Sequence, residues 1–179
     1  MSDAQRRVIS GWGRTSPITA NVSQPDLTDA VSEIVKNSER VVARGLGRSY
    51  GDAAQVGGGL TLDITHLDRI IGFDPITGVV EVEAGVSLDH LIRTLTPHGW
   101  FVPVTPGTRY VTVGGAIASD VHGKNHHAVG SFGQHVLELT LITADGSSRT
   151  VSPESDSDIF WATVGGMGLT GVILRAKIQ

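Results

Sequence analysis

Apolar positions along the chain repeat with two periods, and the switches between them mark out the elements. In residues 25–36, Leu27, Ala30, Val31, Ile34 and Val35 fall at i, i+3, i+4, i+7 and i+8, which predicts a helix with one apolar face. Residues 40–44 (RVVAR) are a short β-branched run that predicts a strand feeding the loop at residues 45–59. Leu60, Leu62 and Ile64 then alternate; RIIGFD, the turn at Pro75 to Gly78 and VVEVEAG follow, predicting three short strands with a hairpin. Ser87 is placed to cap a second helix with Leu88, Leu91, Ile92 and Leu95 on one face and Gly99 closing it. Residues 100–133 read as loop, short helix, loop. Residues 136–144 predict a strand, 147–152 its hairpin partner, 155–164 a helix and 168–178 a closing strand. The order of elements predicts an α+β fold of two small lobes, approximately residues 16–75 and 76–179, meeting near the glycine-rich loops.

Composition narrows the chemistry. The hydrophobic share of 40% and charged share of 18% belong to a chain that folds. A net charge of −4, with Lys and Arg scattered singly, offers no basic stripe for nucleic acid. The absence of cysteine excludes disulfides and thiolate metal sites. No stretch reaches the ~18 apolar residues of a membrane span, and the opening MSDAQRRVISGWG has no apolar core of a secretion signal. Glycine stands out: 23 of 179 residues, well above the usual ~7%, and clustered. The clusters are where a ligand is to be sought.

In the first cluster, Gly45, Gly47 and Gly51 form a tight turn after a strand, a geometry that presents backbone N–H groups to a diphosphate. It is not a Rossmann loop: the spacing is GxGxxxG, and the following AAQVGGG cannot be the required helix. A turn-rich loop without ligand stays open beside the phosphate reading. In the second cluster, Thr112 to Ser119 pairs Gly114 and Gly115 with small side chains; a helix starting there would aim its first amides at an anion, and close helix packing is the equal alternative. His122, His126, His127 and His135 crowd one stretch, but they lack the register and acidic base of a zinc site. His122 beside Lys124 reads better as a cationic edge facing a ligand, with a solvated surface loop as the alternative.

RGLGRSYGD at residues 44–52, PGT at 106–108, VTVGGAIASDVHGKNHHAVGSFG at 111–133 and FWATVGGMGLTGVILRAKI at 160–178 together resemble the vanillyl-alcohol-oxidase type of FAD-binding domain. The resemblance covers nearly the whole chain but only the N-terminal part of such an enzyme, whose substrate domain is expected to be absent here. It implies that the backbone of Ala43, Arg44, Gly45, Leu46, Gly47, Arg48, Ser49, Tyr50, Gly51, Asp52 and Ala53 wraps the FAD diphosphate. Gly107 would lie near the isoalloxazine. Thr112, Val113, Gly114 and Gly115, with Ser119, Asp120, Val121 and His122, would line the rest of the cofactor, and Leu174 would touch its adenosine side. His122 and Lys124 would face the substrate, while the general base stays unassigned. Many relatives bond flavin covalently through a histidine where this chain has Arg48, so FAD is expected to be held non-covalently. The implied reaction is oxidation of the ribose 2-hydroxyl of a polyprenyl-phosphate sugar at the cell envelope. A partner NAD-dependent keto-reductase completes an epimerisation that feeds cell-wall arabinan. A sibling aldonolactone or polyol oxidase, or a non-catalytic FAD-binding fragment, are the alternatives.

Overall fold

The computed structural model describes residues 4–179; Met1, Ser2 and Asp3 lie outside the described residues. Among the described residues, nine strands fall into two sheets. The first contains β1 (Gln5–Ile9), β2 (Ile18–Ser23), β3 (Val41–Arg44) and β4 (Leu60–Asp63) in the order β1-β2-β4-β3. The second contains β5 (Ile70–Phe73), β6 (Val80–Glu83), β7 (Val136–Ile142), β8 (Ser148–Val151) and β9 (Val172–Ile178) in the order β5-β6-β9-β7-β8. Helices α1 (Thr28–Lys36), α2 (Leu88–Leu95), α3 (Val113–Ala118), α4 (His126–Val129) and α5 (Ser157–Thr163) complete an α+β fold. The second sheet is antiparallel throughout, whereas β4 pairs parallel with both β2 and β3.

The parallel pairing of β3 with β4 bears most on the site. Parallel neighbours need a connection of a dozen or more residues, usually helical. Here residues 45–59 make the crossing without any helix, so their amides are not spent on a helical ladder.

Both sheets share one core that runs from Val31 and Val35 of α1 through Leu62, Val82, Leu139 and Leu141 to Ile178. Helix α1 begins at Thr28, not at Pro25: Leu27 adopts extended backbone at the N-cap and is exposed, leaving Val31 and Val35 as its buried face. Helix α2 forms as the sequence implies. Ser87 Oγ accepts from His90 N at 3.1 Å, Leu88, Leu91 and Leu95 are buried, and Gly99 takes a left-handed conformation after a last 3₁₀ turn. Strands β1 and β2 have no counterpart in the periodicity reading. Gln5–Ile9 is almost wholly exposed and therefore carries no alternation to detect.

The seam between the sheets is polar at one point. Glu83, fully buried at the end of β6, accepts from Arg69 Nη2 at 2.6 Å and from Arg69 N at 2.9 Å. Burial pushes the Glu83 carboxyl up, but the Arg69 donors outweigh it and hold it below the ordinary carboxylate value. Beside it, Gly85 lies so close to the carbonyls of Ile64 and Leu67 that a Cβ would overlap both, and Gly85 N donates to Leu67 O at 2.8 Å. The sheet change thus falls between Asp63 and Ile70, because β5 pairs with β6 and not with β4.

Candidate FAD-binding site

A cavity of about 770 Å³ opens where the crossing loop of the first sheet meets the turn before α3. That volume lies within the roughly 300–1,000 Å³ typical of ligand pockets. The two glycine clusters touch: a Cβ on Gly45 would run into Thr112 Oγ1 and come within 2.9 Å of Thr112 Cγ2. Thr112 caps α3, its Oγ1 accepting from Gly115 N at 3.1 Å.

The two turns contribute different chemistry. Among the described residues, the amides of residues 46–51 donate no hydrogen bond to protein. Leu46, Tyr50 and Gly51 are exposed, so these N–H groups face solvent or a ligand and are available to an external acceptor on the cavity wall. The amides at the start of α3 are already used. Val113 N donates to Val86 O at 2.8 Å, Gly114 N to Ala84 O at 2.8 Å and Gly115 N to Thr112 Oγ1. This corrects the expectation that a helix starting near Gly114 aims its amides at an anion; the second turn supplies small, close-packed surface. Gly114 is small for the fold's sake as well, since its Cβ would come within 2.9 Å of the Ala84 side chain.

The crossing loop is held from within by Arg44. Its guanidinium donates to Ala54 O at 3.1 Å and to Ser10 O at 2.7 Å, and burial lowers its pKa against the opposing pull of Asp63. Among the described residues, Arg48 is the one charged side chain on the cavity wall, and no acidic side chain joins it. Gly51 and Gly107 have open space where a Cβ would stand.

Of the residues expected to hold the cofactor, Ala43, Gly45, Leu46, Gly47, Arg48, Ser49, Tyr50, Gly51, Ala53, Gly107, Thr112, Gly114, Gly115, Ser119 and Val121 line this cavity. Arg44, Asp52, Val113, Asp120, His122 and Leu174 lie off its wall. Val113 and Leu174 are core residues. Asp120, at φ 40°, turns its carboxylate to accept from Gly133 N at 2.9 Å. His122 and Lys124 line a neighbouring cavity of about 690 Å³ that shares Pro106 and Gly107 with the first. There the His122 ring meets His126 edge-on at 5.6 Å, while His126 Nδ1 lies 3.0 Å from Gly123 O. The sequence reading missed Trp12, Thr108, Tyr110, Met167 and Ile173, all on the main cavity wall. For Trp12 a signal existed, a lone indole between two glycines in a polar stretch.

A helix-free loop of unpartnered amides, a cavity wall with one cation and no anion, and glycines opening onto it define a domain that holds a diphosphate-bridged nucleotide cofactor. The chain belongs to the family described as FAD binding domain, whose pattern matches residues 19–152, and the cofactor these residues fit is FAD. It is 56% identical over 177 residues to the decaprenylphosphoryl-beta-D-ribose oxidase of Mycolicibacterium smegmatis, covering 96% of this chain and 38% of that protein. It is 32% identical over 178 residues to mouse L-gulonolactone oxidase (96% and 40%). To the L-gulono-1,4-lactone dehydrogenase of Mycobacterium tuberculosis it is 29% identical over 164 residues (92% and 37%). The chain therefore spans about two-fifths of the length of these relatives. Among the described residues no helix is long and apolar enough to cross a membrane.

Proposed function

We propose that this chain is the FAD-holding part of an oxidoreductase that oxidises the ribose 2-hydroxyl of decaprenylphosphoryl-β-D-ribose to the 2-keto sugar. The carrying observation is the juxtaposition of two cavities across the Pro106–Gly107 turn, one lined by unpartnered amides and the other by His122 and Lys124. The 56% identity to an oxidase of that name supports the substrate. Bound FAD would supply the hydride acceptor for the ribose C2–H. The amides of residues 46–51 would bind the diphosphate oxygens, and Gly107 would let the ring system lie close to the main chain. His122 would hold the sugar hydroxyl, and Lys124 would offset negative charge on the neighbouring ligand.

FAD is held non-covalently in this reading, because Arg48 stands where related enzymes carry the linking histidine. Its guanidinium is committed to the Trp12 ring and to Leu46 O, and it offers no nucleophile. The two lobes of the domain, approximately residues 16–75 and 76–179 in this reading, meet near the change of sheet between Asp63 and Ile70, with β5 already on the second sheet. The keto sugar would pass to an NAD-dependent keto-reductase partner at the cell envelope, completing epimerisation to the arabinose donor for cell-wall arabinan. A second reading, an aldonolactone oxidase, is favoured by the 32% identity to L-gulonolactone oxidase.

The test uses the longer protein containing this chain. Acid precipitation should release all the flavin into the supernatant; flavin that stays with the pellet refutes the non-covalent reading. Anaerobic mixing with polyprenyl-phosphoribose should bleach the flavin, and bleaching by gulonolactone alone would favour the second reading. His122→Ala should retain flavin and slow that reduction by about tenfold, the loss of one substrate hydrogen bond worth about 1.4 kcal/mol.

A further inference from the structure

We propose that residues 11–13, ahead of the stretch matched to the family, form a clasp on the FAD site, with Trp12 as an aromatic wall of the cofactor cavity. The inference deepens the FAD reading of that cavity and rests on it. Trp12 N donates to Ser49 O at 2.7 Å and Gly13 N donates to Tyr50 O at 3.1 Å, so the segment grips the crossing loop by two consecutive carbonyls. Because a trans peptide unit is planar, its C=O and its N–H point in opposite directions. Pulling the Ser49 and Tyr50 carbonyls toward the segment therefore turns the Tyr50 and Gly51 N–H groups away from it, and neither N–H has a partner among the described residues.

The grip leaves no slack. A Cβ on Gly11 would overlap Gly51 O and stand 2.6 Å from Ser49 O, so only glycine permits this approach. Arg44 Nη2 ties the preceding Ser10 carbonyl to the same loop at 2.7 Å. The Trp12 ring carries the Arg48 guanidinium 4.6 Å from its centroid, and both side chains line the cavity. That stack fixes the one cationic side chain on the wall. Trp12 is nevertheless 52% exposed, so its ring is not consumed by the core and has surface left for a planar ligand.

The test is FAD titration of the cofactor-stripped longer protein containing this chain, read by flavin fluorescence and by tryptophan quenching, with circular-dichroism melting as a check on folding. Trp12→Phe keeps a stacking face and should bind FAD within about twofold of wild type, whereas Trp12→Ala should bind on the order of tenfold more weakly with unchanged melting. Gly11→Ala should weaken binding further, because it breaks the grip itself. Trp12 is one of three tryptophans in this chain, and its loss in Trp12→Phe should remove a disproportionate part of the FAD-induced quench. Wild-type affinity in Trp12→Ala, or an undiminished quench in Trp12→Phe, overturns the proposal. A wild-type longer protein that takes up no FAD refutes the cofactor reading instead, visibly before any variant is made, and the clasp falls with it.

Discussion

Gly45 and Gly107 line the same cavity, yet a methyl group added to each meets different surroundings. At Gly45 it is driven into Thr112, the residue that caps α3 and joins the two turns. Gly45→Ala should therefore cost about 1–3 kcal/mol, as overpacking does, measured by denaturant unfolding. At Gly107 the methyl meets nothing, so Gly107→Ala should melt like wild type and lose FAD affinity because it would protrude into the space proposed for the ring system. A parallel loss of stability in Gly107→Ala would show that the space there is not reserved for a ligand. Gly114→Val should lose flavin too, but through damage to the packing on Ala84, visible as a lower melting temperature. Residue identity alone could not separate these three glycines. Each looks equally permissive in the sequence, and only the neighbours show which one serves the fold and which the cavity.

Among the elements, α2 was the most legible, since cap, apolar face and terminating glycine all agree locally. It also supports the site. Leu88 N donates to Val111 O and Asp89 N to Arg109 O, both at 3.0 Å, while Asp89 Oδ1 pairs with Arg109 Nε at 2.8 Å, so α2 carries the segment leading to Thr112. Ser87→Ala should cost about 1 kcal/mol of stability by removing the cap, checked by thermal melting. The crossing loop was less legible. Its glycines announced a turn with free amides, and its spacing and composition excluded a helix after β3, but nothing local foretold that β3 and β4 nevertheless run parallel. The sequence left α3 open between anion binding and close packing for a related reason. Its first amides are satisfied by Val86 and Ala84, residues nearly thirty positions away in the chain, and no pattern inside Thr112 to Ser119 reports that.

At the scale of the molecule, the Glu83–Arg69 pair joins β6 to the link between the sheets and sets part of the acid response. The Glu83 carboxyl is held below its ordinary value, so the pair contributes stability that is present above the unfolded pKa of about 4.5 and is lost as the pH falls through the lower folded value. Denaturant unfolding of Glu83→Gln should be weaker than wild type at pH 7 and should lose less stability between pH 5 and pH 3 than wild type does. An identical acid limb would remove the pair from that role. By itself the sequence determined the element types wherever periodicity and caps agree, the glycine-rich turns, and a cofactor cradle without a Rossmann helix, because these depend on neighbours within a few residues. Tertiary structure alone decided which turn keeps its amides free, that His122 and Lys124 stand in a separate cavity behind Pro106 and Gly107, and that Trp12 reaches the site. The reason is physical: an amide or side chain is available to a ligand only when no distant part of the chain has already satisfied it, and that pairing is set by the packing of two sheets around one core.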